Sequence, residues 1–371
     1  MLGIFNFTIG IIFIICAVVF IEIARRNFQE KGRESSWTVL LASGTTFVMG
    51  IYFIVWGVIG LVNQGDLLVF AEKLPIPYPL GFYSLCFIPA IYLFIGLFVI
   101  REKRKEKSQT AAKPPEKSQE IHPIDLEVSR KAFHITIIGI LTCYLFVGKL
   151  AADALYAYLK NEWDIWHIQD EIIISAELAG KSFALFMIVA IFFLLILTDF
   201  VRIFAPRYYP VKMISNVYRD KERGTLGPHV LLAVGVTFAV LLFAPPIAMG
   251  VIAMSALGDA SATIVGVTVG KHKIRGGKSK KTWEGCIAGV AVSFTTGFLC
   301  MILLVNYKGD PPIPIALAVQ ASLVLCGVGT LIFFVIDYFT PTIPLTDNIL
   351  NPVCIGLAMT GLAYFFFPFL L

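Results

Sequence analysis

This chain is short of charge. Asp, Glu, Lys and Arg make up 15% of its 371 residues, while 57% are hydrophobic and the mean hydropathy is +0.81. A soluble domain carries about 25% charged residues, so an ordinary water-soluble fold is excluded. The seven cysteines lie within or at the edge of apolar runs, and no two form a Cys-x-x-Cys. That removes a zinc ribbon and a disulfide framework and leaves small buried hydrophobes. The first apolar run, Leu2 to Phe20, has no basic flank before it and is too long for a cleavable signal peptide. It is expected to remain as a span. No internal repeat of fixed period is visible. No nucleic-acid partner is expected.

What is present is a series of apolar runs near the length that crosses a bilayer. Ten spans are expected, at 2–24, 37–62, 80–100, 132–157, 181–201, 229–243, 246–269, 286–306, 314–336 and 350–370. The fold class expected is all-α, a polytopic transmembrane helix bundle. Basic residues crowd alternate connections: 25–34, 101–131, 202–228 and 271–284. The intervening segment 158–180 is mostly acidic, and 244–245 is a bare turn. The positive-inside rule then places the basic segments in the cytoplasm and both termini outside.

One stretch, 101–127, is rich in Lys, Glu, Ser, Gln and Pro without apolar period and reads as a solvated, mobile linker. It divides the chain into a three-span region, 1–100, of open role and a seven-span region, 128–371, expected to be catalytic.

The polar residues inside that second region are costly in lipid. Asp259 lies in the seventh span, with Ser255, Thr263 and Gly266 at helical spacing on its face. A carboxylate there suits a metal or proton site. The plainer reading is an acid bonded to a neighbouring helix, with Gly266 and Gly270 allowing close packing. The loop that follows, 271-KHKIRGGKSKK-281, holds six basic residues in eleven positions. It suits a triphosphate, with Gly276 and Gly277 admitting phosphate oxygens, or anionic lipid headgroups. It is not a Walker A loop, because the first glycine of that pattern would fall on His272 and an apolar span precedes it. Arg130, Lys131 and His134 open the fourth span, and Asp199 and Arg202 end the fifth. Glu222 lies in a charged inner segment, Asp337 begins the last inner segment, and Asp347-Asn348 precede the final span, where they suit a helix cap. The topology puts all of these near one membrane face. Cations for phosphates and carboxylates for a divalent ion are the parts that phosphoryl or nucleotidyl transfer requires.

Taken together, these residues resemble the CTP-dependent lipid kinases, a family that includes dolichol kinase, phytol kinase and the fungal-type diacylglycerol kinase. The likeness rests on Arg130, Lys131 and His134; Asp199 and Arg202; Gly258, Asp259, Ala262 and Gly266; Lys278, Ser279, Lys280, Lys281, Thr282, Glu284 and Gly285; and Asp347 with Asn348. It covers about 127–371. It implies phosphoryl transfer from CTP to the hydroxyl of a polyprenol- or dolichol-like membrane lipid at the cytosolic face. It further implies Mg²⁺ held by Asp259, with Asp347 or Asp199 as the second ligand. Asp259, Lys281, Glu284 and Asp347 would be the catalytic set. Arg130, Lys131, Lys278, Ser279, Lys280, Lys281, Thr282, Gly258 and Gly266 would bind the nucleotide. His134, Asp199, Arg202, Glu222 and Asn348 are further candidates. For Glu284 a base, a group behind the metal and a helix start are all open. Trp283 suits either a stack on cytosine or an interfacial anchor.

The stretch 257–289 also resembles phosphatidate cytidylyltransferase, whose wording is close to Lys281-Thr282-Trp283-Glu284-Gly285. The C-terminus favours the kinase, since it has Asp347-Asn348 and lacks that enzyme's Pro-Gly-His-Gly-Gly and Asp-Arg-x-Asp. A transporter with an intramembrane acidic path is a third reading. Asp199 and Asp337 at span ends speak against it. The expected membrane is the plasma membrane in a prokaryote and the endoplasmic reticulum in a eukaryote. Oligomeric state is open, with a homodimer among the options.

Overall fold

The structure, a computed structural model, describes residues 2–30, 33–62, 74–76, 80–108, 134, 138–142, 146, 150, 154, 176–209, 224–274, 281–305, 313–339 and 346–371. The regular elements are helices: α1 (Leu2–Glu30), α2 (Arg33–Val62), α3 (Leu80–Ser108), α4 (Ala176–Phe204), α5 (Pro228–Leu242), α6 (Pro245–Thr268), α7 (Trp283–Val305), α8 (Ile315–Phe339) and α9 (Asp347–Phe366). Two short 3-10 turns follow α4 and α9. Among the described residues the only strand-like pairing is one antiparallel bridge between Lys273 and Thr282. In a bilayer no water is at hand for backbone groups, so an apolar run satisfies its own N–H and C=O groups by coiling.

Eight of these helices are long and apolar enough to cross a membrane, all but α5, which is apolar but has only 15 residues. The chain is a multi-pass membrane protein. Of the fourth expected span, 132–157, little more than His134 and the helical stretch 138–142 is described. The outer faces are themselves apolar: Leu93 and Phe94 on α3, Leu331 on α8, and Phe365 and Phe366 on α9 are exposed. A bilayer, not water, is the solvent that such a surface fits.

Several helices run a few residues past the expected spans, and two of these extensions change the reading. The helix α3 runs on to Ser108, into the charged stretch that begins at Arg101. Lys, Arg and Glu are good helix formers, so the coil carries past the end of its apolar part. Most of the expected linker, 109–127, lies outside the described residues. The helix α8 extends through Asp337 to Phe339, so that acid is helical.

One apolar core joins the first helices to the later ones. Phe13 of α1 stacks between Phe53 of α2 and Phe192 of α4, with ring centroids 5.5 Å and 5.0 Å away. The helix α6 packs along α7 and also meets α5, α8 and α9. It is buried almost continuously from Pro246 to Asp259 and only half-covered beyond.

The α6–α7 contact is made by small residues. A Cβ on Gly285 would stand 2.5 Å from Ala262 O, and one on Gly289 would stand 2.8 Å from Ala262 Cβ. A Cβ on Gly258 would meet Phe333 and Ser293 at 3.0 Å. Close backbone approach of this kind is how helices associate in lipid, where no hydrophobic effect pushes them together. Gly285→Ala is therefore expected to part the two helices and cost about 1–3 kcal/mol, read as a lowered melting temperature in detergent. Gly361→Ala, where nothing lies within 4 Å, is the control that shows no loss.

A candidate metal centre at one end of the bundle

Three aspartates converge where α6, α8 and α9 meet. Asp259 comes from the point where α6 leaves its enclosed stretch, Asp337 from the last turn of α8 and Asp347 from the first turn of α9. One carboxylate oxygen from each lies within 4.8 Å of the others. Asp259 and Asp337 are buried and Asp347 is half-buried. Asp347 owes its place to a cap. Thr346 is the N-cap of α9, and its hydroxyl accepts from the Asn348 N–H at 3.3 Å. An acid in the first helical turn is also favoured by the helix dipole.

Lys281 closes one side. Its Nζ donates to Asp337 Oδ1 at 2.6 Å and to the Asp337 carbonyl. It is placed there by antiparallel pairing of 272–274 with 281–283, in which Ile274 N–H donates to Lys281 O and Trp283 N–H donates to His272 O. His134 closes another side, with Nε2 3.2 Å from Asp259 Oδ2. Among the described residues three carboxylates and one ammonium meet here. Like charges gathered away from water are costly unless a cation joins them. The donor set, carboxylate oxygens in a group a few ångströms across, fits a divalent ion.

The structure thus brings Asp259, Asp347, Lys281 and His134 together. It adds Asp337, whose position at a span end was visible in sequence but whose place in the cluster was not.

Other candidates have different surroundings. Glu284 accepts from His272 N–H at 3.1 Å and lies 2.6 Å from His272 Nδ1, at the start of α7. Thr282 Oγ1 accepts from Gly285 N–H at 3.3 Å, in the manner of a helix cap. Gly258 and Gly266 lie in the α6–α7 contact. Asn348 Nδ2 donates to Pro228 O at 3.5 Å, toward the start of α5.

Asp199 and Arg202 form a separate buried group. Arg202 Nε donates to Asp199 Oδ1 at 2.5 Å, and Gly227 N–H donates to Asp199 Oδ2 at 2.8 Å. Trp283 is 44% exposed, and its ring lies 6.3 Å from that of Tyr338. Arg130, Lys131, Lys278, Ser279, Lys280 and Glu222 lie outside the described residues.

Comparison of the chain with protein-family models, with curated proteins and with solved structures finds no match.

Proposed function

We propose that the protein is a CTP-dependent lipid kinase that phosphorylates the hydroxyl of a polyprenol- or dolichol-like alcohol at the cytosolic face, in a ten-span bundle with both termini outside. The observation that carries this reading is the meeting of Asp259, Asp337 and Asp347 beside Lys281. Phosphoryl transfer needs positioning and charge neutralisation more than covalent chemistry. A cluster of acids with a lysine at its edge, next to a strongly basic loop, provides those two things.

In this reading the three aspartates hold a divalent ion, Mg²⁺ by the family resemblance. When bound, the ion neutralises charge on the phosphates and lowers the cost of the charge that develops during transfer. Lys281, tethered to Asp337, faces the phosphates from the protein side. Lys278 and Lys280 adjoin it in sequence and add to the positive field. Glu284 holds the loop through His272 and so sets where Lys281 stands. The lipid tail stays among the apolar outer faces of the helices, and its hydroxyl reaches the polar end of the bundle. The hydroxyl oxygen bonds to the γ-phosphorus and gives up its proton to solvent, the bond from the γ-phosphorus to the β-phosphate oxygen breaks, and CDP leaves.

The test uses purified protein with CTP labelled at either the α or the γ phosphate, a divalent salt and candidate lipid alcohols. Label is expected to reach lipid from the γ position only. Transfer from the α position would make the protein a cytidylyltransferase and overturn the kinase reading.

A further inference from the structure

His134 is 6% exposed, and among the described residues neither of its ring nitrogens has a hydrogen-bond partner. A neutral imidazole always carries one N–H and one lone pair. Burying both unpaired is costly, so a purely structural role accounts poorly for the residue. Nε2 nevertheless stands 3.2 Å from Asp259 Oδ2. The two atoms are close enough for a hydrogen bond but are not aligned for one. That spacing has another physical meaning. Two ligands of one six-coordinate ion, each about 2.1 Å from it, stand about 3 Å apart across an edge.

We infer that His134 is a ligand of the centre, making it a mixed nitrogen–oxygen site that takes a first-row transition ion of the Mn²⁺ kind in preference to Mg²⁺. The inference rests on the reading that the three aspartates hold a divalent ion. It goes beyond that reading in ligand set and metal class. Carboxylates alone suit Mg²⁺, Ca²⁺ and Mn²⁺, whereas imidazole suits transition ions. Mn²⁺ is the transition ion of the carboxylate set, so one imidazole beside three carboxylates favours it over Mg²⁺ and Ca²⁺. Mg²⁺ keeps to oxygen ligands and gives up its waters reluctantly, so it gains little from His134. The loss of one nitrogen ligand should therefore separate the two ions.

The experiment uses the full-length protein in detergent, stripped of metal. Mn²⁺ is titrated by electron paramagnetic resonance, Mg²⁺ by competition, and pulsed measurements look for nitrogen-14 coupling to bound Mn²⁺. The wild type is expected to bind Mn²⁺ at least about tenfold tighter than Mg²⁺ and to show imidazole nitrogen coupling. His134→Ala and His134→Gln should abolish the coupling. They should weaken Mn²⁺ about tenfold or more, the least that disturbing even an outer partner of a ligand costs, while Mg²⁺ changes less than about twofold. Bound Mn²⁺ without nitrogen coupling in the wild type would overturn the inference, whatever the variants do, and leave the kinase proposal standing. Coupling that persists in both variants would also overturn it. A wild type that binds neither ion would overturn both the inference and the metal-dependent proposal.

Discussion

Asp259→Asn is expected to lower the proposed phosphate transfer from CTP about a thousandfold, on the several kcal/mol that a catalytic metal contributes. Asparagine keeps the shape of the side chain and removes its charge. The same loss is expected, by the same argument, for Asp337→Asn, which was not in the ligand set expected from sequence. Stability should move the other way. Removing the Asp259 carboxylate relieves like-charge repulsion in metal-free protein, so metal-free Asp259→Asn should melt no lower than wild type, whereas Asp337→Asn also breaks the ion pair with Lys281 and should melt lower. Added Mn²⁺ or Mg²⁺ should raise the melting temperature of the wild type, as a ligand specific to the folded state does, and raise that of the variants less. Full turnover in Asp259→Asn at equal expression would remove this residue from the centre. A drop in activity that merely tracks a drop in melting temperature would mean a structural role.

Arg202→Ala is expected to be the most destabilising single change at the other buried polar group. In sequence Asp199 and Arg202 are three apart, as in an ordinary helix surface pair, which is worth little. In the structure both are buried, and the pair sits in a larger network. Arg202 Nη2 donates to the Thr225 carbonyl, and Asp199 also accepts from Gly227 N–H. Thr225 Oγ1 in turn accepts from Asn27 Nδ2 of α1 at 2.8 Å. Gly224, at φ 77°, makes the turn that starts this segment. The network ties the first helix to α4 and to the entry of α5. Breaking a buried ion pair by removing one partner costs about 3–5 kcal/mol, which for a chain of this length corresponds to a fall of about 4–6 °C in melting temperature. The double change Asp199→Asn with Arg202→Met removes both charges and should recover part of the loss. A fall of less than about 2 °C in Arg202→Ala would mean that the pair behaves as a solvated one.

These two groups show what could be read from the chain before it was folded. Asp259 stood out because an acid in an apolar run is costly in lipid whatever its partners are. Asp347 stood out beside a helix start, and the structure gives the cap to Thr346 and leaves Asp347 among the clustered acids. Asp337 was visible too, but nothing in one dimension links it to Lys281, fifty-six positions away. The signal that could have found it is the pairing of a span-end acid with the one lysine next to a helix cap.

The small residues carried the opposite ambiguity. Gly258, Ala262, Gly266 and Gly285 have the same composition whether backbone approaches a phosphate or another helix. The contact between α6 and α7 is what gives them a packing role. Thr282 and Glu284 likewise turn out to start a helix and hold a loop.

Composition and hydropathy alone settle that this is a helical membrane protein and roughly where most helices run, because lipid leaves the backbone of a single span no other way to satisfy itself. The ionisable groups that face an apolar surrounding could also be found along the chain, since their cost does not depend on the partner. Which of them meet could not be found there. The distance between Asp259 and Asp337 depends on how α6, α7 and α8 pack, and that packing is set by side-chain volumes such as the Gly285–Ala262 approach. Asp199 carries the same charge as Asp259. Tertiary packing makes the first a tie between helices and the second part of a cluster of three acids.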